Sequence, residues 1–96
     1  MKFVYAKDHP VFEGHFPGHP VVPAAALLAE AVTAAHKALP ERRVVGVVAA
    51  KFFAPLGPEM EVDVDFNASS RGLGFRITNS STTFAEGTLL CEDHSG

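Results

Sequence analysis

Residues 9–40 read His9-Pro10-Val11-Phe12-Glu13-Gly14-His15-Phe16-Pro17-Gly18-His19-Pro20-Val21-Val22-Pro23, then Ala24-Ala25-Ala26-Leu27-Leu28-Ala29-Glu30-Ala31-Val32-Thr33-Ala34-Ala35-His36-Lys37-Ala38-Leu39-Pro40. The first half carries four prolines and two glycines, a density that forbids a continuous helix or a central strand and predicts an ordered loop. The second half predicts a helix over residues 24–39. Pro23 suits its first turn because a proline has no N–H to leave unpaired, alanine and leucine are strong helix formers, and Pro40 stops it. Glu30, Thr33 and Lys37 form a narrow polar stripe at helical spacing, and the remaining faces are apolar. A helix this apolar is expected to be surrounded by protein on most sides.

The flanking sequence supplies strands. Residues 1–6 hold β-branched and aromatic residues suited to a first strand. Residues 43–53 are rich in valine and end at the turn signal Ala54-Pro55-Leu56-Gly57-Pro58. Residues 59–66 alternate, with Glu59, Glu61, Asp63 and Asp65 on one face and Met60, Val62, Val64 and Phe66 on the other, which predicts a half-buried strand. The acidic face is expected to be solvated. Ser69-Ser70-Arg71-Gly72 marks a hairpin, and residues 73–78 and 82–91 predict two further strands. One long helix with about five antiparallel strands makes an α+β domain spanning residues 1–96. A sheet of that width leaves an edge exposed, so a dimer is expected.

Bulk properties narrow the classes of function. The 96 residues carry a net charge of −3, with no basic cluster beyond Arg42-Arg43, so no nucleic-acid partner is expected. The N-terminal segment Met1-Lys2-Phe3-Val4-Tyr5-Ala6-Lys7-Asp8 reaches charge too early to be a signal peptide, and no apolar run approaches the roughly 20 residues that span a bilayer. The lone Cys91, at the end of an apolar run, reads as a small buried hydrophobe, and a reducing cytoplasm fits that usage. His9, His15 and His19 lack a carboxylate or thiolate at ligand spacing, so no metal is expected. Gly72-Leu73-Gly74 is a hairpin feature rather than a phosphate loop, Phe12 and Phe16 read as anchors of the loop, and residues 92–96 as a frayed tail.

The segment Gly14-His15-Phe16-Pro17-Gly18-His19-Pro20-Val21-Val22-Pro23, leading into an alanine- and leucine-rich helix, resembles the active-site segment of the hotdog-fold 3-hydroxyacyl-[acyl-carrier-protein] dehydratases, and the short chain is similar to those of aryl polyene and related lipid pathways. Lys51-Phe52-Phe53-Ala54-Pro55-Leu56-Gly57-Pro58-Glu59 is similar to a strand and turn of the same family. The resemblance implies a central helix wrapped by an antiparallel sheet, and removal of water from a 3-hydroxyacyl thioester on acyl carrier protein to give a trans-2-enoyl thioester. It implies His15 as the base, which suits an imidazole with an ordinary pKa near ~6.5, and the Ala24 N–H as donor to the thioester oxygen. Phe16, Pro17, Gly18 and Pro23 would complete the substrate groove, with no cofactor and with the acid supplied across a dimer interface.

The family's acidic position falls on Ala29, and Glu30 is its neighbour, rotated by about 100° on an α-helix. Three readings follow: a bulge within Ala24-Ala25-Ala26 that aims Glu30 as the acid, water or another polar group such as His19 in that role, or thioester binding without dehydration. The last would make the chain a non-catalytic subunit of a heterodimer with a homologue. An acyl thioesterase of the same fold is the remaining alternative.

Overall fold

The computed structural model describes residues 1–12, 21–68 and 72–93. Strand β1 (Lys2–Phe3) is followed by a single 3-10 turn (Pro10–Phe12) and helix α1 (Ala24–Ala38), then β2 (Arg42–Phe52), β3 (Val62–Ala68), β4 (Gly72–Thr78) and β5 (Thr83–Asp93). The strands form one sheet in the order β1-β3-β4-β5-β2, with every neighbouring pair antiparallel. One face of the sheet receives the helix, as the α+β expectation requires.

The helix stops one residue earlier than the sequence suggests. Leu39, with φ −134°, leaves the helical region while its N–H still reaches the Ala35 carbonyl at 2.8 Å. The residue before a proline is pushed out of the α region by the proline ring, and Pro40 does this here. Leu27, Ala31 and Ala35 face the sheet and are almost wholly buried. They meet Val62 and Val64 of β3, Leu73 and Ile77 of β4, and Phe84 and Leu89 of β5 in one apolar cluster. The opposite side of the helix, with Ala25, Ala29 and His36, is exposed in the single chain, contrary to the expectation of cover on most sides.

Two strands begin differently from the expectation. β1 is only two residues long, because after Phe3 the chain leaves β3 and the Tyr5 carbonyl instead takes the Glu59 N–H at 2.7 Å. Glu59 sits in a turn at φ +63°, so β3 starts at Val62 rather than at residue 59. The acidic face is solvated as expected, with Glu59, Glu61 and Asp65 exposed, and two of its carboxylates stand near cations. Asp63 lies 3.8 Å from the terminal ammonium, and Glu61 lies 3.8 Å from Lys2 Nζ. Cys91 is half-buried against the core, as read from the sequence.

Strand β2 runs along one edge of the sheet and is interrupted by register shifts between Val44 and Gly46 and between Val47 and Ala49. Such bulges twist a strand and re-aim its side chains. Val48 is 63% exposed, Phe53 just beyond the strand is 55% exposed, and Val45, Val47 and Phe52 are also open to solvent.

Next to this edge the backbones come unusually close. A β-carbon at Gly87 would lie 2.3 Å from the Ala49 carbonyl oxygen and 2.9 Å from Phe75 Cε1. The first of these atoms is backbone and cannot swing aside, so only glycine fits. Gly87→Ala is expected to destabilise the fold by at least about 2 kcal/mol, a drop of roughly 10 °C in melting temperature for a domain of this size, measurable by thermal unfolding. An unchanged melting point would show that β5 and β2 can separate at no cost.

Candidate active site

The loop expected to carry the chemistry is described only at its two ends, and both are held. At its start the His9 N–H donates to the Ala6 carbonyl at 2.9 Å, and the Phe12 N–H donates to the His9 carbonyl at 3.1 Å. The His9 side chain accepts the Val11 N–H on Nδ1 at 2.9 Å, which places the imidazole proton on Nε2 in the neutral ring. Tyr5 packs edge-on against His9 at 4.9 Å and against Phe12 at 6.3 Å between ring centres, and Phe3 packs edge-on behind it at 5.6 Å. Edge-to-face geometry of this kind brings the positive rim of one ring to the negative face of the next. At the far end the Val22 N–H donates to the Leu56 carbonyl at 2.8 Å, and both residues are buried. Between these anchors, His15, Phe16, Pro17, Gly18 and His19 lie outside the described residues.

The loop delivers the chain to the amino end of α1. Pro23 caps the helix in extended conformation, with no side-chain hydrogen bond, and its carbonyl receives the N–H groups of Ala26 at 2.9 Å and Leu27 at 3.1 Å. The N–H groups of Ala24 and Ala25 therefore have no acceptor within the helix, as in any first turn. Both residues are exposed and carry only methyl groups. Two amide donors with the positive end of the helix dipole behind them suit an oxygen that gains negative charge.

The first turn is regular. The Leu27 N–H bonds four residues back to Pro23, so no bulge within Ala24-Ala25-Ala26 re-aims Glu30. With Leu27, Ala31 and Ala35 on the sheet, Ala29 points nearly the opposite way, and Glu30 points sideways toward β1. There it lines a small cleft of about 100 Å³ with Met1, Lys2, Phe3, Thr33 and Lys37. Tyr5 belongs to the same neighbourhood. Burial holds its phenol above the ordinary value of 10.0, and the Glu30 carboxylate raises it further.

Sequence reading missed Tyr5, whose ring contacts come from residues two to seven positions away and whose phenol feels the charge of Glu30 on the helix. An aromatic residue within a β-rich segment gives no sign of such contacts. Among the described residues, no three His, Cys, Asp or Glu side chains gather in a way that could hold a metal ion. No helix among them is long and apolar enough to cross a membrane.

The sequence profile of a family described as ApeI-like, ApeI dehydratase, matches residues 1–88. The chain belongs to that family. Two curated relatives are FabZ 3-hydroxyacyl-[acyl-carrier-protein] dehydratases. The one from Roseiflexus castenholzii is 30% identical over 95 residues, covering 88% of this chain and 64% of the relative. The one from Syntrophotalea carbinolica is 28% identical over 96 residues, covering 88% and 63%. The chain thus spans less than two thirds of the length of these relatives.

Among solved structures, the dehydratase heterocomplex ApeI:P from Xenorhabdus doucetiae matches with a TM-score of 0.82 at 24% identity, over 94% of this chain and 82% of that one. An uncharacterized protein from Erwinia carotovora subsp. atroseptica matches with a TM-score of 0.77 at 22% identity, over 99% and 82%. These likenesses establish the hotdog fold expected from the loop and helix.

The pairing of Tyr5 with Glu30 can be measured directly, because the chain has one tyrosine and no tryptophan. Glu30→Gln removes a negative charge beside the phenol, so phenolate forms more easily and the midpoint falls, while burial keeps it above 10.0. Ultraviolet titration of the folded variant reads this shift, and an unmoved midpoint would separate the two side chains. The raised value also means that the folded chain keeps this proton longer than the unfolded one. Stability should therefore fall as pH climbs past 10.0 toward the folded midpoint.

Proposed function

We propose that the protein dehydrates a 3-hydroxyacyl thioester carried on acyl carrier protein, giving the trans-2-enoyl thioester and water in fatty acid, polyene or related biosynthesis. The observation that carries this reading is an apolar helix whose first two N–H groups lack helical acceptors, entered from Val22, which is anchored to Leu56. Membership of the ApeI-like dehydratase family adds the chemical class.

In this mechanism His15 removes the proton from the carbon next to the thioester carbonyl. The electron pair moves to close the carbon–carbon double bond, and the hydroxyl leaves as water with a proton from an acid. The Ala24 N–H, with the helix dipole, stabilises the negative charge that collects on the thioester oxygen. The methyl side chains of Ala24, Ala25 and Ala26 leave room for the pantetheine arm beside the helix, and Phe16, Pro17, Gly18 and Pro23 are assigned with Ala24 to substrate binding. The thioester itself acidifies the α-carbon, so neither cofactor nor metal is required. The protein acts in the cytoplasm.

Two copies meet along the β2 edge, where Val45, Val47 and Val48 would otherwise stay in water. In a homodimer Glu30 would have to serve as the acid, although the regular first turn of α1 aims it toward β1. The sideways direction of Glu30 and the outward direction of Ala29 favour a second form, in which a homologous subunit covers the Ala29 face and supplies the carboxylate. The chain is then the subunit that brings His15.

Purified protein, alone and mixed with a homologous subunit, is to be assayed for enoyl thioester formation from 3-hydroxyacyl carrier protein, with free thiol release read in parallel. His15→Ala should lower turnover by about 10²–10⁴-fold with an unchanged melting temperature, and undiminished turnover would reject His15 as the base. Glu30→Gln should slow the homodimer and leave a heterodimer unaffected. Thiol release without enoyl product would instead identify a thioesterase.

A further inference from the structure

The face of the sheet turned away from the helix carries a row of four charges in strict cross-strand register. Asp65 on β3 stands opposite Arg76 on β4, Arg76 opposite Glu86 on β5, and Glu86 opposite Lys51 on β2. Arg76 and Glu86 touch, with Nη2 and Nε each 3.2 Å from the same carboxylate oxygen. Two residues along each strand, the neighbouring row is Asn67, Gly74, Thr88 and Ala49, three of them small. The low row beside the charged row forms an open groove of about 470 Å³.

From β3 to β2 the charges alternate minus, plus, minus, plus. An alternating row of even length has a property that an odd one lacks: read backwards, it is its own electrostatic complement. We infer that this face is an interface with a second copy of the chain, the two sheets packed back to back about a two-fold axis that runs along the strands between β4 and β5. That axis lays β3 over β2 and β4 over β5. Asp65 then meets Lys51 of the second copy, and Arg76 meets Glu86 of the second copy, twice each by symmetry. An axis across the strands through the same row would lay every charge on its own like, so only the axis along the strands sets the charged rows against each other with opposite signs facing.

The low row agrees with the same axis. It sets Thr88 over Gly74 of the second copy, where no side chain obstructs approach to the roughly 10 Å spacing of stacked sheets. Sheets packed this way cross at about 30°, so the pairs nearest the axis, Arg76 with Glu86 and Thr88 with Gly74, keep register best. The contact leaves the β2 edge free, so it is compatible with edge-to-edge pairing and would double such a dimer.

Sedimentation of the whole chain, with circular dichroism to confirm folding, tests this. The native particle should contain an even number of copies. Arg76→Glu places like charges at the centre of the contact and should halve the particle mass, raising the dissociation constant by about tenfold or more. The double variant Arg76→Glu/Glu86→Arg recreates a complementary row and should restore the mass. Thr88→Lys fills the low row and should halve it again. A native particle of one copy overturns the inference. So does a mass that Val48→Asp halves while Arg76→Glu and Thr88→Lys leave it unchanged, because the copies would then meet at the β2 edge alone.

Discussion

The position of every functional group depends on how closely α1 lies on its sheet. The helix presents Ala31 and Ala35 to β3, β4 and β5, with Leu27 one turn before, and the three are almost fully buried. Methyl groups let the helix axis settle near the strands, and full burial of a leucine adds about 2 kcal/mol. A helix seated at that depth has its amino end fixed relative to Leu56 and β1. The loop need then only join two fixed points. Larger side chains at Ala31 or Ala35 would lift the helix and move the Ala24 and Ala25 N–H groups with it.

Some of this architecture could be read from the residues, and the reasons are local. Pro23 and Pro40 bound the helix because proline lacks an N–H and restricts its predecessor, effects that need no tertiary information. Val62 and Val64 alternate with Asp63 and Asp65, so β3 announced its buried face. The same alternation continues back through Glu59, where the backbone turns at φ +63° to meet Tyr5, and polarity alone could not reveal that turn. The valine run of β2 has no alternation, so its two bulges were invisible until β5 was laid beside it.

The candidate site divides in the same way. Its helical half was legible, since proline and alanine dictate an uncapped, uncluttered first turn. The sideways aim of Glu30 followed from helical rotation, but its electrostatic influence on Tyr5 did not, because that depends on where β1 leaves the sheet. The central part of the loop, with His15, rests on the motif and on family membership rather than on the described residues.

The bulged outer strand has a consequence for the life of the chain before it finds company. An eleven-residue edge strand with exposed valines at Val45, Val47 and Val48 is adhesive toward an extended peptide it meets. The two bulges spoil its flatness and so slow indiscriminate growth, but they do not remove the stickiness. If a second subunit covers that rim, supply of this polypeptide would have to keep step with supply of that subunit. An excess would be drawn off into aggregates or by proteases rather than persist as a dispersed pool.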